Sequence, residues 1–179
     1  EHWVALSNAP IDHIENRDDR RTVFFSRSDL ISTYLFSFVA GEFTTVTRNV
    51  DGREMTLLHR ETDEEKVKRS IDTIFELHAE SLAWMEDYTD IDYPFQKFDF
   101  AAIPAFQYGG MEHAGAIVYR SDALFLEQDP SETQLLSRAS LIAHETAHMW
   151  FGDLVTMDWF NDVWTKEVFA NFMAAKIVN

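Results

Sequence analysis

The chain has 179 residues, of which 46% are hydrophobic and 14% aromatic, and it contains no cysteine. This composition is typical of a packed domain and excludes disulfides and thiolate metal sites. The formal net charge of −16 argues against nucleic acid and anionic membranes as partners, since both are bound through basic patches. With no apolar run long enough to span a bilayer and no signal-peptide pattern, the compartment stays open between cytoplasm and periplasm. Because the chain opens on Glu1 and ends at Asn179 within an apolar helical pattern, we expect a piece of a longer protein.

The beginning of the chain has the pattern of β structure. Polar, turn-prone stretches separate three short runs rich in aromatic and β-branched residues, which predict strands: Trp3–Leu6, Thr22–Phe25 and Tyr34–Val39. Two further predicted strands, Phe43–Val50 and Arg53–His59, flank Asp51-Gly52, a strong signal for a two-residue hairpin turn.

A long amphipathic helix follows the hairpin. The capping-box pattern of Thr62 and Glu65 predicts its start, and apolar residues then recur at helical spacing to about Tyr88. His78 falls on the apolar stripe, where a lone histidine is usually a packed, hydrogen-bonded core residue rather than a ligand.

Two predicted strands and a glycine pair separate this helix from the next one. The strands are Phe95–Pro104 and Ala116–Tyr119, and Gly109-Gly110 between them matches no phosphate-binding loop. The residues alone leave two interpretations of the glycines. They form a turn, which the spacing favours, or they let a backbone edge approach a ligand closely.

The C-terminal part predicts two helices. Asp129-Pro130-Ser131 begins the first, which we expect to run to about Phe151. A short extended segment, Leu154–Met157, then precedes a last helix that Asn161 or Asp162 caps.

The first of these helices carries the run His144-Glu145-Thr146-Ala147-His148. Because positions four apart lie on one face of a helix, His144 and His148 can direct two imidazoles at one point. This H-E-x-x-H pattern is typical of two zinc ligands and the general base of a metalloprotease. Glu167, after a gap of eighteen residues, completes three protein ligands, and a catalytic zinc site keeps its remaining position for water. The sequence therefore predicts one Zn²⁺ per chain, with Glu145 activating a zinc-bound water.

The alternative is that the pattern arose by chance on a surface helix. Its flanks, Leu141–Ala143 and Met149–Phe151, are strongly apolar and predict a buried or cleft environment. Unpaired histidines and glutamates would be costly there, which favours a metal site. The metzincin variant is excluded, because it requires glycine at Phe151 and histidine at Leu154.

The sequence around these residues resembles the gluzincin aminopeptidases of the aminopeptidase N and leukotriene-hydrolase type. The run from His148 continues as M-W-F-G-D-L-V-T, and a W-x-D-x-W-x-x-E-x-F-A pattern then follows through Trp159, Asp162, Trp164, Glu167, Phe169 and Ala170. The family's second signature, G-[AG]-M-E-N, corresponds to the upstream residues Gly109, Gly110, Met111, Glu112 and His113.

The resemblance implies a function. Glu112 would bind the free α-amino group of a peptide substrate, which makes the protein a zinc aminopeptidase that hydrolyses the N-terminal peptide bond. Gly109, Gly110 and Met111 would line the substrate as an edge strand, with His113 beside them. The resemblance thus favours the edge over the turn.

The resemblance also implies an α+β fold with two parts. Residues 1–45 would be the C-terminal part of an N-terminal β domain. Residues 46–179 would be the N-terminal part of a thermolysin-like zincin catalytic domain, with a β-containing lobe followed by the start of a helical lobe. The rest of the helical lobe would follow Asn179 in the same protein chain and would be the partner of this piece. The family's transition-state tyrosine would lie in that part.

Five positions depart from the family pattern, and none of them is a predicted zinc ligand: His113, Asp153, Lys166, Val168 and Ala174. His113, for instance, puts a titratable ring where the family has a neutral amide.

Two rival functions remain. A thermolysin-type zinc endopeptidase would share the metal residues without needing Glu112, and a non-catalytic binding scaffold of the same fold would usually have lost a ligand or the base.

Overall fold

The computed structural model describes residues 3–179, so that residues 1 and 2 of the predicted N-terminal β domain lie outside the described part. The described chain is a mixed helix and sheet structure, in agreement with the predicted α+β class. Its strands are β1 Val4–Ser7, β2 Ile11–Arg17, β3 Arg20–Phe25, β4 Phe38–Gly41, β5 Thr44–Val50, β6 Arg53–His59, β7 Phe98–Ile103, β8 Gly110–Met111 and β9 Ala116–Arg120. Its helices are α1 Glu64–Thr89, α2 Ser121–Leu124, α3 Glu132–Ala147 and α4 Val163–Ile177.

Two antiparallel pairs, β1 with β4 and β2 with β3, form the N-terminal part of the structure. The sequence does not predict β2, because its residues are mostly polar and exposed and lack the alternation that marks a half-buried strand. The prediction of a strand over Tyr34–Val39 is wrong for the first half of that segment. A 3₁₀ turn at Thr33–Leu35 buries Leu35 completely, and β4 begins only at Phe38.

A buried asparagine explains the turn. The side-chain amide of Asn8 donates to the carbonyl oxygens of Leu35 and Ala114, both at 2.9 Å, and its oxygen accepts from the backbone N–H of Ser37, also at 2.9 Å. These bonds satisfy backbone groups that lie outside any sheet. They also tie the beginning of the chain to the segment that follows β8.

The largest sheet has five strands in the order β5-β6-β7-β9-β8. The hairpin predicted at Asp51-Gly52 is confirmed, since both residues have positive φ (52° and 85°), as a type I′ turn requires. β6, β7 and β9 run parallel, whereas β5 and β8 pair antiparallel at the two edges. Gly110 and Met111 therefore form an edge strand rather than a turn, and Gly109 precedes it.

The main core lies between this sheet and the helices. Apolar residues of β6, β7 and β9 pack against residues of α1, α3 and α4, among them Leu57, Phe100, Tyr119, Phe75, Ile142 and Met173. The other sheet face is covered by β1 and β4, through Leu6 and Val39. The helices thereby cover one face of the sheet and a strand pair covers the other.

α1 starts one residue after its cap, which is Asp63 rather than the predicted Thr62: the Asp63 side chain accepts from the Lys66 N–H at 3.0 Å. His78 on this helix is fully buried, as predicted. Its Nδ1 donates to the Ile74 carbonyl at 2.7 Å, which leaves Nε2 to accept from the Tyr119 hydroxyl at 2.9 Å. His78 is a hydrogen-bonded core residue.

α3 begins with a complete capping box between Ser131 and Gln134 and ends at Ala147, four residues before the predicted Phe151. The chain then turns through Gly152, and the predicted extended segment Leu154–Met157 is reduced to a bridge at Val155. Asp162 precedes α4, although its side chain makes no cap hydrogen bond. Among the helices of residues 3–179, none combines the length and the apolar character that crossing a bilayer requires.

Candidate metal centre

Three predicted metal ligands converge where the end of α3 meets the beginning of α4. His144 lies in the last turn of α3 and His148 directly after it, and their Nε2 atoms are 3.0 Å apart. Glu167 comes from α4, and its Oε2 is 3.4 Å from His144 Nε2 and 3.5 Å from His148 Nε2. The histidines are local neighbours on a helix, whereas Glu167 is brought in by helix packing.

The spacing of these donors fits zinc. Zinc in a tetrahedral site has nitrogen and oxygen ligands at 2.0–2.2 Å, which places neighbouring ligand atoms about 3.3–3.6 Å apart. His148 Nδ1 contacts the Phe151 carbonyl at 2.9 Å and must donate to it, because a carbonyl only accepts. That bond leaves the Nε2 lone pair free for a metal and fixes the ring, as is usual for histidine ligands.

Glu167 is held in its ionised form. Its bonds to His144 and His148, and then its bond to Lys166, lower the pKa of this carboxyl far below the usual range. The two carboxylate oxygens have different partners. Oε2 faces the imidazoles, whereas Oε1 accepts from Lys166 Nζ at 2.9 Å.

Glu145 lies at the same centre, with a carboxylate oxygen within 4.8 Å of a ring nitrogen of His148, and it is only 4% exposed. Burial raises its pKa well above the ordinary value, and the neighbouring charges of Glu112 and Glu167 raise it further. Within residues 3–179 its Oε2 has no hydrogen-bond partner. A carboxylate with a raised pKa and a free oxygen is suited to accept a proton.

Glu112 reaches the same centre from the segment after β8. It is 3% exposed, and one of its carboxylate oxygens lies within 4.8 Å of donor atoms of Glu145 and His148. Burial alone would raise the pKa of Glu112, but the neighbouring His148 and Lys166 lower it overall. Lys166 Nζ donates directly to Glu112 Oε1.

His113 points elsewhere. Its Nδ1 donates to the Leu35 carbonyl at 3.1 Å, so its ring packs toward the 3₁₀ turn rather than toward the metal donors. Burial lowers the pKa of this imidazole. The described structure thus brings Glu112, Glu145 and the three metal donors together and leaves His113 at the periphery.

Two charged residues of the centre have no role predicted from sequence. Lys166 is 8% exposed and joins Glu112 to Glu167. Asp153 is buried, its two carboxylate oxygens have no partner within residues 3–179, and burial raises its pKa. The sequence distinguishes Lys166 and Asp153 only because both differ from the family pattern. That difference does not reveal what either side chain contacts.

A cleft of about 710 Å³ runs between β8 and α3. Its walls carry backbone from the glycine pair and side chains from α3 and α4: Gly109, Gly110, Glu132, Thr133, Leu136, Ser137, Ser140, Leu141, His144, Glu145 and Asn171. Since β8 is an edge strand, its outer backbone groups are available to an extended chain in this cleft.

Comparison with known proteins finds a family and curated relatives. Residues 73–179 match the family described as Peptidase family M1 domain. Over 174 residues the chain is 35% identical to Probable aminopeptidase 2 of Sulfurisphaera tokodaii, covering 97% of this chain and 22% of that protein. It is 38% identical over 176 residues to the puromycin-sensitive aminopeptidase of Caenorhabditis elegans, covering 96% of this chain and 18% of that protein. It is 34% identical over 177 residues to aminopeptidase N of Streptomyces lividans, covering 98% of this chain and 20% of that protein. The chain spans about a fifth of the length of these relatives.

Proposed function

We propose that this chain, which belongs to peptidase family M1, carries the metal site and the general base of a zinc aminopeptidase acting on peptides with a free N-terminus. The observation that carries the proposal is the convergence of His144, His148 and Glu167, with Glu145 and Glu112 beside them. The relatives' names as aminopeptidases support the substrate class.

His144, His148 and Glu167 would hold the zinc. When bound, zinc polarises a carbonyl and lowers the pKa of water to about 7. The chain's own contribution is orientation: the His148 bond to Phe151 and the Lys166 bond to Glu167 hold two of the ligands in place.

Glu145 would act as general base. It takes a proton from the attacking water and returns it to the amine that leaves. Its raised pKa suits the first step, because a carboxylate with a higher proton affinity is the stronger base. Its position on the cleft wall beside Gly110 would place the substrate within reach.

Glu112 would bind the α-ammonium group of the substrate. This buried carboxylate lies a few ångströms from the metal donors. An N-terminus bound to it would place the first peptide bond of the substrate at the metal, so that only this bond is cleaved. Gly110 and Met111 would supply backbone hydrogen bonds to the substrate chain. Gly109, at the start of the strand, would complete this wall, and His113 would support it through its bond to Leu35.

We also propose the finer architecture that the sequence suggests. Residues 1–45 would belong to an N-terminal β domain and residues 46–179 to a thermolysin-like catalytic domain. The packing of β1 and β4 on the sheet through Leu6 and Val39 would then be the contact between the two. The transition-state tyrosine would come from a helical lobe.

The test uses the complete protein as its gene encodes it. Glu145→Gln should lower kcat by at least about 100-fold while zinc content stays near one per protein, because the base is not a ligand. Undiminished turnover would remove Glu145 from the role of base. Peptides with a free N-terminus should be cleaved and their N-acetylated forms rejected. Equal cleavage of both would favour the thermolysin-type endopeptidase, and no cleavage of either would favour the binding scaffold.

A further inference from the structure

Lys166 has an unusual place for a lysine, because its ammonium lies between two carboxylates of the centre, the buried one of Glu112 and the partly exposed one of Glu167. Nζ donates to Glu112 Oε1 and lies 2.9 Å from Glu167 Oε1. Lysine is rarely buried unless it is paired, and this one is paired twice. The carboxylate proposed to recognise an ammonium group therefore already binds one, and it belongs to the chain itself.

The side chain is held in this position along its length. Its ammonium lies 5.2 Å from the centre of the Tyr34 ring, a cation–π contact. Its stem passes Gly152, where an added Cβ would come within 3.3 Å of Lys166 Cδ. Because Lys166 directly precedes Glu167 in α4, the helix that delivers the third metal donor also delivers the cation to Glu112.

The lysine ammonium and a peptide's α-ammonium are chemically alike. Both are compact positive charges with three N–H donors, and both satisfy a carboxylate by the same hydrogen bonds. A carboxylate whose charge is already neutralised attracts a second ammonium less strongly, and two ammonium groups at one carboxylate repel each other. We infer that Lys166 is an internal competitor for the amine subsite, so that a substrate N-terminus binds Glu112 only by displacing Lys166 or sharing the carboxylate with it.

This inference rests on the proposed role of Glu112 and makes Lys166 a specificity-determining residue. It lowers the affinity of the centre for free N-termini and leaves the affinity for ligands without an ammonium group unchanged. A lysine that served only as a structural counter-charge would behave differently. Its removal would destabilise the centre and weaken every ligand alike.

The experiment measures binding of L-leucine and N-acetyl-L-leucine to the complete zinc-loaded protein by calorimetry. Leucine carries the α-ammonium group and its acetylated form does not. Lys166→Gln and Lys166→Met remove the charge and keep most of the stem, and Lys176→Gln makes the same charge change on an exposed lysine of α4. Glu112→Gln, alone and combined with Lys166→Gln, reports whether the effect passes through Glu112.

We expect Lys166→Gln to tighten leucine binding by about tenfold or more, because a hydrogen bond to a charged group is freed. N-acetyl-leucine should bind as before, Lys176→Gln should change nothing, and Lys166→Gln should have no effect once Glu112 is glutamine. Unchanged or weaker leucine binding in both Lys166 variants overturns the inference. Loss of folding in both variants, or failure of both to bind zinc even when the metal is in large excess, also overturns it, since the lysine would then be structural.

The outcomes separate this inference from the proposed function. If Glu112→Gln weakens leucine but Lys166→Gln does not tighten it, Glu112 is the amine subsite and only the competitor role of Lys166 falls. If Glu112→Gln leaves leucine binding unchanged, the amine subsite itself is wrong, and the role of Lys166 falls with it.

Discussion

The Glu145 side chain fills the space that the missing side chain of Gly110 leaves free. A Cβ built on Gly110 would lie 2.6 Å from Glu145 Cγ, closer than real Cβ contacts allow. The two residues are 35 positions apart, and the contact joins the edge strand β8 to the helix that carries His144. Position 110 therefore requires glycine because the side chain of Glu145, the proposed base, occupies the space beside it. The backbone conformation does not impose this requirement.

Gly110→Ala should displace Glu145 and lower kcat. The added methyl group moves the carboxylate away from the metal donors, and a misplaced general base loses much of a contribution worth about 10²- to 10⁴-fold. Steady-state kinetics on the complete protein would show the loss in kcat, with zinc content unchanged because His144, His148 and Glu167 are untouched.

Gly109→Ala is the matched control for that substitution. A Cβ on Gly109 would lie 3.4 Å from Leu141 Cδ1, at the limit of ordinary contact, and near no catalytic group. Its kcat should stay within about threefold of the wild type, since the added methyl group would meet only the end of the Leu141 side chain and would leave Glu145 in place. Equal losses in the two variants would mean that the effect comes from the strand and not from Glu145.

Glu167→Gln should weaken zinc binding. The amide removes the negative charge of a proposed ligand whose Oε2 lies 3.4 and 3.5 Å from the two imidazole nitrogens. Since loss of a supporting partner already costs 10- to 100-fold in affinity, loss of a ligand should cost more than about 100-fold. Competition with a chromophoric chelator measures it. Glu76→Gln, at an exposed position of α1, should bind zinc as the wild type does, and unchanged affinity in Glu167→Gln would exclude this residue as a ligand.

His78 should make stability depend on pH. Its burial lowers the pKa of the imidazole from 6.5 to about 4. Between these values the unfolded chain binds a proton that the folded core does not, so the contribution of His78 is complete above pH 6.5 and is lost as the pH falls to 4. The slope is about 1.4 kcal/mol per pH unit, or about 3 kcal/mol in total.

The double substitution His78→Leu with Tyr119→Phe removes the titrating ring and its buried partner together, so that neither is left unpaired. The measurement is urea unfolding of the complete protein, followed through the transition in which the five-stranded sheet unfolds. The free energy of unfolding of the double variant should decline less steeply from pH 6.5 to 4 than that of the wild type. His59 and His113, whose pKa values burial also lowers, are present in both proteins and cancel. Identical slopes would show that His78 does not titrate as described.

Local physics allowed several features to be predicted from the sequence. Asp51-Gly52 determines its hairpin because both residues accept positive φ, and the four-residue spacing of His144 and His148 places them on one helix face in any fold. β2 and the turn at Thr33–Leu35 could not be predicted in this way. The first has no periodic burial, and the second depends on the side chain of Asn8, which bonds the Leu35 carbonyl from 27 positions away.

The H-E-x-x-H run with Glu167 indicated the candidate metal chemistry by residue type and spacing, whereas a role for Glu112 was implied only by the resemblance to a family signature. Only the tertiary structure decided what each carboxylate contacts. The Lys166 bond to Glu112 spans 54 positions, and the Gly110 contact with Glu145 depends on β8 lying at the sheet edge beside α3. Spacing along a helix follows from backbone geometry alone, whereas contacts between elements follow from how a sheet and its helices pack, and no local pattern encodes that packing.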